Sequence, residues 1–105
     1  MISMEDRERF ITAYTLANNH VVIETDCRRA FFSYGTLIAE YRLATEELYL
    51  TAYWDYSKTT SKYLYKFIDS LPTYYNIHDR ADIREALKSS KIGMIYGVTL
   101  QKRYS

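Results

Sequence analysis

The residues that first suggest chemistry are Ser57-Lys58-Thr59-Thr60, a cluster of hydroxyl and amine groups in a chain of 105 residues. A phosphate-binding P-loop also ends in lysine followed by serine or threonine. It needs glycines before them, so that backbone N–H groups can surround the phosphate. Here residues 53–56 are Tyr-Trp-Asp-Tyr. Because bulky aromatic residues cannot form that loop, the sequence argues against nucleotide hydrolysis and leaves helix capping or weak anion binding.

Tyrosines interleaved with lysines form the second candidate site. Tyrosine accounts for twelve residues, and its flat apolar ring with a polar tip suits binding surfaces. The cluster is compatible with anchors for a protein partner or with a platform for stacking nucleic-acid bases, whose rings would be Tyr49, Tyr53, Tyr56, Tyr63 and Tyr65. The alternative is that Tyr63 packs inward while Tyr65 and the lysines form a plain solvated helix face. The residues that we predict at a partner-binding surface are Tyr49, Tyr53, Tyr56, Lys58, Lys62, Tyr65, Lys66, Tyr74 and Tyr75.

Metal and catalytic sites are not indicated by the sequence. The two histidines, His20 and His78, have no carboxylate or cysteine at ligand spacing around them, such as an H-E-x-x-H helix would provide. Asp55 and Glu40 are acidic, but no feature pairs them for general acid–base work. Cys27 is the single cysteine, and we interpret it as a structural residue. We therefore predict a protein that is not an enzyme and needs no cofactor or metal.

Charge and composition limit the classes of partner. Fourteen basic and thirteen acidic residues give a net charge of +1, which argues against a strongly acidic DNA mimic and against a nucleic-acid binder of high pI. The 48% apolar content is typical of one folded domain. We see no apolar signal peptide and no run near the ~18 apolar residues of a membrane span. We expect a cytoplasmic protein, with residues 1–105 forming a single domain.

The first half of the chain predicts one helix and several strands. Residues 4–17 predict a helix, because acidic residues crowd its first turn and apolar residues recur at helical spacing. Segments 20–25 and 28–34 predict strands from their β-branched and aromatic content. Residues 36–54 alternate in two arms around a four-residue loop at 44–47 and predict a hairpin, although many of them are also good helix formers.

The second half predicts two helices and a final strand. Residues 58–71 have a helical apolar row, with Ser57 or Asp55 as N-cap. Residues 79–89 predict a second helix, and alternation over 92–100 predicts a strand. The order of elements predicts an α+β fold with a mainly antiparallel sheet of about four strands and helices packed on one face.

A pattern over residues 31–68 carries a family resemblance. It consists of a Ser-Tyr-x-Thr-x-Ile-Ala segment, a Trp-x-Tyr-Ser-x-Thr-Thr turn and a helix ending in Phe. The positions are Ser33, Tyr34, Thr36, Ile38, Ala39, Trp54, Tyr56, Ser57, Thr59, Thr60 and Phe67. The pattern resembles a family of small uncharacterised proteins of phages, prophages and mobile elements in Gram-positive bacteria. The resemblance implies a strand–strand–helix region in which Trp54 fills the core and Ser57 caps the helix. Leu64 and Phe67 complete the residues that we predict to be structural.

A phage context implies two functional classes. The first is an anti-CRISPR-like accessory protein that binds and inhibits a host defence protein, such as a CRISPR effector or another defence nuclease, through a tyrosine-rich surface. The second is a small nucleic-acid-binding accessory or regulatory protein that uses the Lys/Tyr face of the predicted helix 58–71. The near-neutral charge argues against the second class. We predict the first, acting in the bacterial host cytosol. A homodimer is compatible with so short a chain, and no membrane partner is expected.

Overall fold

The computed structural model describes residues 8–95, which form a six-stranded sheet and two helices. The elements are β1 (Phe10–Ala17), β2 (His20–Thr25), β3 (Arg28–Ser33), β4 (Thr36–Arg42), β5 (Glu47–Leu50), α1 (Lys58–Asp69), α2 (Arg80–Lys88) and β6 (Gly93–Met94). Strand order in the sheet follows chain order. Neighbours from β1 to β5 are antiparallel, and β6 pairs parallel to β5. The predicted α+β class is confirmed, and the sheet has more strands than the four expected.

Strand β1 stands where the sequence predicted a helix. The helix predicted over 4–17 is wrong for Phe10–Ala17, which pair antiparallel with β2; residues 1–7 lie outside the described range. The cause is the two-residue turn that follows. Asn19 has φ 63°, a left-handed conformation that asparagine tolerates, and the turn places Ala17 opposite His20. Pairing with β2 then stabilises an extended backbone in this segment, although its apolar residues recur at helical spacing.

The predicted hairpin over 36–54 corresponds to β4 and β5, but its second arm is shorter than expected. Strand β5 ends at Leu50, so the strand predicted over 51–54 is wrong. The Thr51 hydroxyl donates to the Leu37 carbonyl oxygen at 2.7 Å, and the backbone N–H of Trp54 donates back to the Thr51 carbonyl oxygen at 3.2 Å. These bonds turn the chain out of the sheet and towards α1.

Helix α1 covers one face of the sheet. The strand register places Val22, Phe31, Ala39 and Leu50 side by side on this face, which we call the helix-covered face. The ring of Phe67 in α1 stacks on Phe31 with centroids 5.6 Å apart. Buried residues of both helices join one core with these strands. That core comprises Val22, Phe31, Ile38, Ala39, Tyr41, Leu48, Leu50, Trp54, Leu64, Phe67, Ile68, Leu71, Tyr75, Ile77, Ile83, Ala86 and Ile92.

Both helices begin at a side-chain cap. The Ser57 hydroxyl accepts the backbone N–H of Thr60 at 3.1 Å, and Asp79 accepts that of Asp82 at 2.9 Å. These bonds satisfy N–H groups that have no partner inside the helix. Of the strand predicted over 92–100, Gly93–Met94 form β6, and residues 96–100 lie outside the described range. Within residues 8–95, no helix is long and apolar enough to cross a membrane.

Candidate functional site

The lysines predicted at the partner surface lie together on α1. Lys58, Lys62 and Lys66 are exposed and recur every four residues, which places them in one row along the helix. Tyr56 is exposed immediately before the helix, and Tyr65 is half-buried within it. Burial raises the pKa of Tyr65. The five residues therefore occupy one region, with the three lysines as its outermost part.

Tyr49 lies on the other side of the sheet. Its neighbours Leu48 and Leu50 point into the core, so alternation along β5 directs Tyr49 to the face opposite α1, which we call the outer face. The Arg42 guanidinium lies 4.1 Å from the Tyr49 ring centroid. The Tyr49 hydroxyl donates to Glu47 at 2.8 Å, and this bond raises the pKa of Tyr49. Tyr49 cannot share one binding surface with the lysines of α1.

Three further predicted residues are also separated from the lysines. Tyr53 is half-buried and packs against the core. Tyr74 is exposed in the segment between the helices, where its hydroxyl donates to Asn76 at 2.9 Å. Tyr75 is only 5% exposed, so the prediction of Tyr75 as a surface anchor is wrong. Its position follows from packing of the interhelical segment on the core, which the Tyr-Tyr pair in the sequence does not reveal.

The ring of Tyr63 lies between the lysines of α1 and a buried aromatic side chain. The Nζ atoms of Lys62 and Lys66 lie 5.4 and 5.9 Å from its ring centroid, distances at which a cation is attracted to an aromatic face. The buried ring of His20 lies 4.8 Å away from the same ring. Tyr63 is therefore half-buried between a cationic surface and an aromatic interior, a position that our set of partner-binding residues omits.

His20 supports these aromatic residues from below. It is buried, and its Nδ1 lies 2.6 Å from the carbonyl oxygen of Asn18. Since a carbonyl oxygen only accepts, Nδ1 is the donor in this hydrogen bond. Nε2 is buried without a hydrogen-bond partner among the described residues. The His20 ring also meets Tyr34 edge-on at 5.4 Å. The imidazole is thus fixed by one hydrogen bond and by aromatic contacts.

Tyr34 is the second residue that our set omits. It occupies the turn between β3 and β4 with φ 51°, followed by Gly35 with φ 79°. A two-residue turn of this kind favours asparagine, aspartate or glycine at its first position, and a left-handed conformation costs other residues about 1 kcal/mol or more. Tyr34 is nevertheless 57% exposed. The signal in the sequence is a tyrosine directly before the glycine of a tight hairpin.

Buried hydroxyl groups hold the Tyr34 turn against α1. Ser33, the last residue of β3, forms a hydrogen bond of 2.8 Å to the Thr60 hydroxyl. The Ser57 cap donates to the same Thr60 oxygen at 3.1 Å. Because Tyr34 directly follows Ser33, this chain of hydroxyls holds the backbone of its turn against α1, and the rings of Tyr34 and Tyr63 both contact the ring of His20. We define the tyrosine–lysine surface as Tyr34, Lys58, Lys62, Tyr63 and Lys66.

The lysines of the tyrosine–lysine surface carry uncompensated charge. Ion pairs among the described residues join arginines to carboxylates, as in Arg80 Nε to Asp55 Oδ1 at 2.7 Å, and none of them uses Lys58, Lys62 or Lys66. The first turn of α1 has no acidic residue. The surface around these lysines is therefore positively charged, although the net charge of the whole chain is only +1.

Metal ligands and the single cysteine are the remaining candidates for chemistry among the described residues. Within residues 8–95, no three His, Cys, Asp or Glu side chains gather as a metal site. Cys27, which we predicted to be structural, is exposed in the turn between β2 and β3. Its thiol donates to Asp26 Oδ1 at 3.3 Å, and this hydrogen bond raises the pKa of the thiol. A thiol that holds its proton is a poor nucleophile.

A family model covers most of the chain. No curated protein and no solved structure matches the sequence. The family model, described as a family of unknown function (DUF8033), matches residues 3–85, which is well over half of the chain. The matched range runs from before β1 into α2 and contains every residue of the tyrosine–lysine surface. The chain therefore belongs to this family of unknown function, DUF8033.

Proposed function

We propose that the protein is a non-enzymatic binding protein of a phage or mobile element that inhibits a host defence protein by docking through its tyrosine–lysine surface. The observation that carries the proposal is the backbone conformation and the exposure of Tyr34. An aromatic ring stands in a turn position that disfavours it, exposed and supported by His20. Residues kept in such backbone conformations cluster at functional sites.

The chemistry of the surface indicates an acidic partner. Tyr34 and Tyr63 provide aromatic area of the kind that dominates binding free energy, and α1 adds three lysines, of which Lys62 and Lys66 lie beside the Tyr63 ring. Such a surface attracts a negatively charged patch and is repelled by a positive one. Channels that hold nucleic acid are positively charged. We therefore expect docking outside the channel of a defence nuclease, with inhibition through a blocked movement or blocked assembly.

The assignment to a phage, and to anti-CRISPR-like inhibition in particular, rests on the resemblance of residues 31–68. The structure supports the proposal in a more general way. Tyr34 is one of the residues of that pattern, whereas Lys58, Lys62 and Lys66 lie within the same stretch at positions that the pattern does not specify. The hydrogen bond between Ser33 and Thr60 joins the strand part of the pattern to its helical part. The residues of the pattern thus include Tyr34 and the Ser33–Thr60 pair that holds its turn against α1.

A second candidate function is binding of single-stranded nucleic acid. The lysine row beside Tyr63 favours it, because phosphates follow cationic grooves while bases stack on aromatic rings. The same residues would serve either function. Salt separates them, since the affinity for nucleic acid falls steeply with rising salt concentration.

The test is capture of partners from a lysate of a bacterial host by the tagged protein, with and without nuclease, compared across three variants. Tyr34→Asn removes the ring and suits the turn. Lys62→Glu reverses one charge of the row. Tyr74→Asn is the matched control, because Tyr74 is exposed outside the surface. We expect Tyr34→Asn to remain folded and to lose at least ~10-fold in affinity for the captured protein, as a central aromatic anchor would.

Three outcomes are informative. Nuclease-resistant capture of a defence protein that both surface variants abolish and Tyr74→Asn retains supports the proposal. Capture that vanishes with nuclease and weakens steeply with rising salt concentration contradicts the inhibitor proposal and supports nucleic-acid binding. Capture that all three variants retain excludes the tyrosine–lysine surface as the binding site.

A further inference from the structure

Strand β1 leaves an open edge at one end of the sheet. Its neighbour is β2, and no other described strand pairs with it. Its first six residues, 10–15, are all exposed, including Phe10 at 66% and Ile11 at 59%. Helix α1 packs on β2 and β3, so the helical layer ends before the edge. Both faces of β1 are therefore accessible.

The edge lacks the usual protection against pairing. Edge strands commonly carry lysine, proline or inward-pointing charge, because their unpaired N–H and C=O groups otherwise bind another strand. The sequence of β1, Phe-Ile-Thr-Ala-Tyr-Thr-Leu-Ala, contains none of these residues. Irregularities occur between Phe10 and Thr12 and between Thr15 and Ala17. They distort the two ends and leave Thr12–Thr15 in regular register with β2, which is the part that another strand can extend.

We propose that β1 pairs antiparallel with β1 of a second copy of this chain, so that two sheets join into one across a twofold axis. A twofold axis perpendicular to the sheet leaves every side chain on the same face of the joined sheet as in the single chain. Two residues directly opposite each other across the new pairing must then have sequence numbers that differ by an even number. An axis through Ala13 meets this condition within the regular stretch. Ala13 then faces its own copy, Thr12 faces Tyr14, and Ile11 faces Thr15.

A second copy fits this edge better than an unrelated peptide does. Strand addition obtains its selectivity from pockets for alternate side chains, and β1 is open on both faces. A copy brings a strand with no charge, so no charged group is repelled or desolvated at the centre of the pairing. At the axis, two alanine methyl groups meet, which allows close approach. Since the pairing is short, we expect a dissociation constant of roughly micromolar size.

The first test is the mass of the full chain in solution over a concentration series, measured by sedimentation. We expect a monomer–dimer equilibrium. Ala13→Lys places two ammonium groups opposite each other across the axis and should weaken the dimer by ~10-fold or more, because like charges directly opposite repel. Ala81→Lys is the matched control, since Ala81 is exposed on α2; it should leave the dimer unchanged. A monomer up to about 1 mM, or a dimer that Ala13→Lys leaves intact, overturns the proposal.

The second test defines the register and does not depend on the folding of the lysine variant. In a Cys27→Ser background, Ala13→Cys places two thiols on directly opposite residues. Their Cα atoms lie ~4.5–5.5 Å apart in an antiparallel pair, within the range of a disulfide. We expect rapid oxidation to a covalent dimer for Ala13→Cys and none for Ala81→Cys. Equal oxidation of both variants contradicts pairing at β1. The tyrosine–lysine surface is not part of this edge, so the two proposals fail independently.

Discussion

The two faces of the sheet are filled in different ways. On the helix-covered face, the aromatic pair Phe31–Phe67 packs within an apolar core. On the outer face, Glu40 is only 5% exposed and lies between two arginines. Arg28 Nη1 is 3.1 Å from Glu40 Oε1, and Arg42 Nε is 2.7 Å from Glu40 Oε2. Arg28 also pairs with Glu8 at 2.8 Å.

The two faces should therefore respond differently to substitutions. Apolar packing stabilises in proportion to the area removed from water, so each truncation has its own cost. A buried ionic network contributes little relative to apolar packing, yet the loss of one member leaves its partner buried and unpaired. The outer face should therefore be sensitive to single changes and tolerant of matched double changes. The helix-covered face should show no such rescue.

The largest effect is expected from Phe67→Ala on the helix-covered face. The variant removes a buried ring that stacks on Phe31, and we expect the free energy of unfolding to fall by ~3–5 kcal/mol. Urea unfolding measures this quantity. Phe10→Ala is the matched control, because Phe10 is exposed on β1; its cost should stay within about 0.5 kcal/mol at concentrations where the chain is monomeric. Equal costs for the two variants would contradict the assignment of the core.

The next effect is expected from Arg28→Met on the outer face. The change leaves Glu8 without its main partner and Glu40 with Arg42 alone, and we expect a loss of ~1–3 kcal/mol because one or two carboxylates lose charged partners. Adding Glu40→Gln should recover part of this loss, since the buried charge is then removed. Urea unfolding of both single variants and the double variant forms the thermodynamic cycle. Strictly additive losses would show that Arg28 and Glu40 do not interact.

Local features of the sequence predicted part of the fold. Alternation identified β4 and β5, and the spacing of Leu64 and Ile68 identified α1, because both patterns depend on the geometry of one element. The identity of β1 could not be read in this way. Its apolar residues also fit a helical stripe, and pairing with β2 decides its conformation.

The candidate site likewise contains residues that local sequence patterns predict and residues that they do not. The lysine row was predictable, since a spacing of four residues places side chains on one side of any helix. Tyr63 is a candidate stacking residue in the sequence, but the part played by Tyr34 is not predictable there, because the proximity of the two rings depends on how the β3–β4 turn packs against α1. Tyr75 was assigned to the surface, and its burial follows from tertiary packing that residue type does not show.

A smaller effect is expected from Ser57→Ala, which tests the polar part of the helix-covered side. The variant removes the N-cap of α1 and one partner of the Thr60 hydroxyl, and we expect a loss of ~1 kcal/mol. Thermal unfolding followed by circular dichroism measures it. Ser57→Asp restores an acceptor for the Thr60 N–H and should recover most of the loss. A cost unchanged by aspartate would show that Ser57 acts through packing and not as a cap.

The smallest effect at neutral pH is expected from Tyr75→Phe, which compares a buried tyrosine with the outer-face Tyr49. Burial raises the pKa of Tyr75 above its usual 10.0, so the folded state holds this proton more tightly than the unfolded state does. The associated stability is fully present below about pH 10 and is lost as pH rises through the folded pKa. Without the Tyr75 hydroxyl, the free energy of unfolding should decline less steeply above pH 10 than in the unmodified chain.

Tyr49→Phe is the control for this measurement. The pKa of Tyr49 is also raised, but by its hydrogen bond to Glu47 at an accessible position, where solvent screens the interaction. We expect urea titrations between pH 8 and 11 to separate the two variants, with the change in slope confined to Tyr75→Phe. Identical slopes for Tyr75→Phe and the unmodified chain would contradict the buried position of the Tyr75 hydroxyl. An equal change in Tyr49→Phe would show that the effect does not depend on burial of the tyrosine.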